Sequence, residues 1–559
     1  MSKPASRQAG FVSSGGSGAP GTDDHLVAVR VEDTGHGPRA SAVRYNAAAY
    51  SAFAPSEPPG GSTRPMTVNP RVNPKKLRPY DQPPKRRRTL IPDAPDSAAT
   101  GFLIAAALWL ALAGGLGVLA IGMRIISIEF SFPLLFGFEF ELNERRVEYA
   151  FVNATVYGWL SNAGFAAVAF MTPRLLGRRL EMEKLLNLGL VAWNMALLGG
   201  LALLYVLDLG PHSALTAFPW FVDGGLATGA FIVTAAFAVT AATSLRTGYV
   251  SLWFAAVALL SLLGLLSLNA GLGLLETFLG LDALPAALAS AFIERATATL
   301  WLLGMAYAVL HYIVPRAIGQ PLASGGVGML TWLTWLALAP TSALAVLVDP
   351  SVPFIVTTLG VVATMLLIVP AALAVGNLVA TMQGRWTLIF GTGAAALAIV
   401  ALAFLLGTGL LEAIGVLPGV DALVGGTEWQ AGVWMWGMYG AFTLAAFSLA
   451  EHALPRMLRR SWGGGFLSGA QLWLTFGGAT IAGLALMGAG LAEGSLLAQG
   501  TPPDALGAEL MIYRAIALAG FGLVALAGLA MLTSIFLMYT TARPIEYAAP
   551  GQATAAAGH

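Results

Sequence analysis

Long apolar runs separated by short polar connections organise most of this chain. A membrane crossing needs about 20 mostly apolar residues. Twelve stretches meet that length: 101–125, 149–171, 186–207, 224–243, 249–269, 293–314, 328–348, 353–381, 387–411, 431–453, 466–492 and 509–539. The expected fold class is all-α, a polytopic membrane protein of about twelve transmembrane helices. Residues 1–100 are rich in Ser, Gly, Pro and Ala and show no sustained apolar period, which predicts a disordered tail. No apolar run follows an early basic stretch there, so the tail does not read as a secretory signal. The expected domains are the tail 1–100, a membrane domain 101–540 and a short C-terminal tail 541–559.

Three spans end alike. Met171-Thr172-Pro173-Arg174, Ile313-Val314-Pro315-Arg316 and Ala453-Leu454-Pro455-Arg456 close the second, sixth and tenth. The prolines lie 142 and 140 residues apart, four spans each time. A fixed period points to repeated architecture, here three arcs of four helices. A Pro-Arg helix stop would serve any inward-running span, yet this one recurs at every fourth rather than every second.

Arginine then orients the chain. Arg174, Arg178, Arg179, Arg246, Arg316, Arg385, Arg456, Arg459, Arg460 and Arg543 fall on the side of the N-terminal tail. The opposite connections hold mainly Arg145, Arg146 and Arg295, beside Glu141, Glu144, Glu276 and Asp282. The positive-inside rule puts both termini in the cytoplasm. The run Lys85-Arg86-Arg87-Arg88 reads either as a topogenic flank or as a patch for anionic lipid or a partner.

Composition narrows the class. The chain of 559 residues is 57% hydrophobic and 11% charged, against about 25% charged in soluble proteins. A net charge of +1 gives no footing for nucleic-acid binding. The absence of cysteine excludes disulfides, thiolate metal sites, iron–sulfur clusters and covalent haem attachment.

Four local motifs then carry a family resemblance. Leu359-Gly360 through Pro370, Asn377, Thr381, Gly384 and Trp386 form one; Thr427-Glu428-Trp429, Gly432, Gly437, Gly440 and Pro455 form another. Ala339-Pro340 and Asn162, with the Pro-Arg exit of its span, complete the set. In order and in the right spans, they make residues 101–540 resemble the large subunit (subunit I) of haem-copper oxidases. Within it the resemblance is nearest to the cbb3-type cytochrome c oxidase and nitric oxide reductase branch. That family holds two haems and a copper with six histidines. Matched position by position, the low-spin haem ligands fall on Phe151 and Met435 and the active-site haem ligand on Val433. The copper ligands fall on Arg295, Thr341 and Ser342.

None of these is a histidine, and a shifted register does not supply one. There is no histidine between Tyr312 and Glu451, and none between Gly37 and Pro211. His452 lies 17 residues beyond Met435, roughly 25 Å along a helix. Thr341 and Ser342 offer neutral hydroxyls, poor ligands for copper, and Arg295 adds a fixed positive charge. Methionine can ligate haem, usually opposite a histidine, but is more often packing material. No catalytic residue, cofactor or metal is therefore expected. Phe151, Val433, Trp434, Met435 and Trp436 are expected to fill the vacated haem volumes. The aromatic group Trp429, Trp434, Trp436 and Tyr439 reads equally as that filling or as an interfacial belt.

Intramembrane ionisable residues mark candidate sites. Glu294 and Arg295 can pair across a helix interface or sit solvated at the membrane surface. His311, Glu451 and His452, near the Pro-Arg ends, read as a proton relay in which the two histidines approach, or as interfacial residues. Glu412 and Arg514 carry the same ambiguity, and His212 reads as a loop residue.

The resemblance implies an integral protein of a bacterial inner membrane. Its partners would be lipid and other subunits of a respiratory electron-transfer complex, with a cytochrome c-type subunit possible on the outer face. The expected role is a structural or assembly subunit, a pseudo-enzyme. The alternatives are a divergent oxidase or nitric oxide reductase subunit binding haem through unrecognised ligands, or a transporter built on a repeated helical ring.

Overall fold

A computed structural model describes residues 29–32, 39–42 and 91–541, apart from 127, 134–137, 208–211, 243–247, 281–282 and 390–391. Near the N-terminus, β1 (Val29–Glu32) pairs antiparallel with β2 (Arg39–Ala42). The rest of the expected tail up to residue 90, its basic run included, lies outside the described residues, as does 542–559.

Among the described residues, eleven helices are long and apolar enough to cross a membrane. In chain order they are α1 (Ser97–Ile126), α3 (Glu183–Leu203), α4 (Trp220–Ala241), α5 (Val250–Leu279), α6 (Leu284–Ile318), α7 (Gly325–Val346), α8 (Phe354–Thr381), α9 (Gly393–Gly415), α10 (Trp429–Leu458), α11 (Gly465–Ala498) and α12 (Leu506–Thr540). The predicted second span is the continuous helical run 144–176, α2, made of Glu144–Asn153, Ala154–Leu160 and Ser161–Leu176. It is less apolar for a physical reason. Asn153, Thr155, Ser161, Asn162 and Thr172 are buried inside the protein, where helix neighbours rather than lipid surround them.

Helix neighbours confirm three arcs. Around the outside run α1, α3, α4, α5, α7, α8, α9, α11 and α12, each against the next, with α12 closing on α1. Inside stand α2, α6 and α10, each touching the other two. α6 and α10 bury most of their length, whereas the outer helices bury about half or less and face lipid with the remainder.

The three inner helices share a backbone pattern. Each carries a π-helical stretch, Ala154–Leu160, Thr297–Leu302 or Trp436–Phe442, at the same distance from its proline to within one residue. Each ends in a left-handed cap, Gly177, Gly319 or Arg459, whose N–H returns to the proline carbonyl.

Indole hydrogen bonds repeat as well. Trp159 Nε1 donates to Thr443 Oγ1 (2.8 Å), and Trp301 Nε1 donates to Ser161 Oγ (2.9 Å). By the same spacing the third pair is Ala441 and Leu303, which cannot form the bridge. Trp193 and Trp335 donate to the carbonyls of Tyr157 and Thr299, at 3.0 and 2.9 Å; Thr475 holds the third position. The α6–α10 seam thus lacks the indole bridge that the other two have.

The quoted motifs have structural roles. A Cβ on Gly360 would lie 2.1 Å from Ala345 N, so α8 crosses the end of α7 only with glycine there. Asn377 bonds both backbone groups of Ser324, and Thr381 accepts from Ala323 N (2.9 Å), fixing the α6–α7 connection. Gly384 turns the chain after α8 at φ 76°.

Candidate functional site

A cavity of about 780 Å³ opens at the end of the helical ring opposite the Pro-Arg exits. Its apolar wall comes from the far ends of α1, α2, α10, α11 and α12: Ile121, Phe151, Val156, Met435, Met438, Leu486 and Phe521. Trp429, Trp434 and Tyr439 add aromatic faces, and Arg124, Glu148, Glu294, Arg295, Glu412 and Asp421 add charge. A second space of about 80 Å³ lies along the α6–α10 seam, where the indole bridge is missing. Arg295, Glu412, Trp434 and Met438 line both.

The expected filling is therefore incomplete. Val433 and Trp434 narrow the seam space, and Trp436 packs edge-on to Phe404 (5.3 Å) rather than into the large cavity. Phe151 lies parallel to Tyr439 (6.2 Å, 10°) and edge-on to Phe521 (5.6 Å), lining one side of the cavity without closing it. The Tyr439 hydroxyl is 2.7 Å from Thr155 Oγ1. The void survives because rings on α2, α10 and α12 stack on each other instead of crossing the gap. Trp429, Trp434 and Tyr439 are cavity walls.

The positions matched to copper ligands are otherwise engaged. Arg295 reaches Glu412 Oε2 at 2.8 Å, in α9, and not its chain neighbour Glu294. Thr341 and Ser342 donate back to Ala337 O (3.0 Å) and Ala339 O (2.7 Å) in their own helix. Among the described residues no group of three or more His, Asp or Glu side chains is placed to hold a metal ion.

At the cavity mouth an ion and hydrogen-bond network joins four helices and the connection that precedes α10. Arg124 contacts Glu144 (2.6 Å), Glu148 (3.0 Å) and Glu428 (3.7 Å). Arg514 meets Glu428 at 2.7 Å, and Glu493 accepts from Glu428 N at 3.0 Å. Sequence reasoning passed over Arg124 and Glu148. The signal was available: an arginine in the last turn of a span, followed by glutamates at i, i+4 spacing.

The Pro-Arg end holds the other candidates, and both histidines are buried rather than solvated. His311 Nδ1 is 2.8 Å from Tyr307 O and its ring lies against Phe254. His452 sits edge-on to Phe170 and Tyr312, so the two imidazoles have different partners instead of one another. Glu451 accepts from Ser468 Oγ. His212 occupies a connection, 3.3 Å from Glu276.

Helix count, the closed ring and three inner helices define a polytopic all-α membrane protein with threefold internal repetition. Residues 97–505 match the family described as cytochrome c and quinol oxidase polypeptide I, and the chain belongs to that family. No curated protein matches it.

Proposed function

We propose that this is a subunit I homologue of the cbb3 and nitric oxide reductase branch that neither binds haem or copper at the family's positions nor reduces oxygen. It serves as a structural or assembly subunit of a bacterial respiratory complex, alongside electron-carrying subunits, with a cytochrome c-type partner on the outer face.

The observation that carries this reading is the donor set. Haem iron and copper need nitrogen, sulfur or suitable oxygen ligands with free lone pairs. At the six matched positions stand a phenyl ring, an isopropyl group, a guanidinium bound to Glu412, two hydroxyls turned onto their own helix, and the Met435 thioether. Met435 and Phe151 line the same cavity, and the phenyl ring supplies no second axial ligand, so the set does not fit either metal.

Affinity purification of the full chain from its native membrane tests the role. The expected result is co-purification of haem-bearing subunits, with no oxygen or nitric oxide reduction by the isolated chain. Turnover by the isolated chain contradicts the reading.

A further inference from the structure

The large cavity combines an apolar chamber with a wall whose acidic groups outnumber its basic ones. Glu148, Glu294, Glu412 and Asp421 face it, against Arg124 and Arg295. Both guanidiniums are already committed, Arg124 to Glu144 and Glu148 and Arg295 to Glu412. Among the described residues, no ion pair is made by Glu294 or Asp421; Glu294 has only the Ser213 side chain as a hydrogen-bond partner, and Asp421 stands exposed at the mouth. A carboxylate beside apolar surface is costly until a cation or donor meets it. Among the described residues, every cation in this wall already has a carboxylate partner, so an anionic head group would add repulsion.

The same wall carries Trp429 and Trp434, whose ring faces attract ammonium groups, most strongly when water is excluded. Arg295 Nε and Trp429 Nε1 are buried without acceptors among the described residues, leaving two donors for a ligand oxygen. A volume of about 780 Å³ suits one single-chain lipid or drug-sized molecule.

We propose that this cavity binds an amine-bearing, single-chain amphiphile: the apolar chain lies among Phe151, Met435, Leu486 and Phe521, and an ammonium with an adjacent hydroxyl lies between Glu294, Asp421 and the tryptophans. The proposal rests on the reading that haem does not occupy this space. Haem content is measured separately, so failure of one is distinguishable from failure of the other.

The test is native mass spectrometry of the full-length protein released from neutral detergent, with equimolar 18-carbon amino alcohol (sphinganine), monoacylglycerol and fatty acid. One amine per chain is expected, favoured about tenfold over the neutral and acidic probes. Glu294→Gln with Asp421→Asn should abolish that preference while neutral binding persists. Val361→Trp, which fills the wall without altering charge, should remove all three. Equal or stronger fatty-acid binding, no binding of the amine, or amine preference unchanged in either variant overturns the proposal.

Discussion

Arg295 shows how a single residue changes meaning between sequence and structure. Its ionisable character in a span was legible, but its partner was not, because Glu412 lies on a different helix more than a hundred residues away. Both side chains are largely buried, so removing one leaves the other uncompensated. Arg295→Met should lower stability by about 3–5 kcal/mol, while Arg295→Met with Glu412→Leu should recover most of that loss. Thermal unfolding of the purified protein checks both, and an unchanged single variant would contradict the pairing. Phe151→His alone should not confer tight haem binding, because a low-spin iron needs two axial ligands at once. Haem titration followed by optical absorption checks this; tight uptake would expose an endogenous ligand.

At the scale of elements, the Pro-Arg recurrence made the threefold repeat readable because proline and arginine mark helix ends visibly; that the three helices so marked are the inner ones was not. The π-helical stretches left no such signal: one inserted backbone residue changes a hydrogen-bond register without changing residue types. The incomplete filling of the cavity was hidden for a related reason, since aromatic residues in the right span do not reveal which neighbour each ring stacks on. Close helix crossings, in contrast, were readable as glycine. Gly360→Ala should destabilise α7–α8 packing by about 1–3 kcal/mol through overpacking. Gly376→Ala, on the same helix with no atom within 4 Å of its added Cβ, should be neutral or stabilise by up to about 1 kcal/mol. Paired unfolding measurements on the two variants separate the effects, and equal shifts would argue against the crossing.

For the whole molecule, hydropathy and the four-span period were enough to give twelve spans in three arcs of four; that one span of each arc stands inside a ring of nine came only from the structure. The two-chambered space was not legible, since it depends on a seam where Ala441 and Leu303 replace a bridge made twice elsewhere. The arginine bias predicts both termini in the cytoplasm, so reporters fused at either end should be active only there. The central claim is that subunit I architecture persists here without its redox centre. A reduced-minus-oxidised optical spectrum of the purified full-length chain, with haem quantified per polypeptide, tests it most directly. Haem far below one equivalent per chain and no redox-dependent absorbance are predicted; about one equivalent or more, with a reversible low-spin signal, would contradict the account.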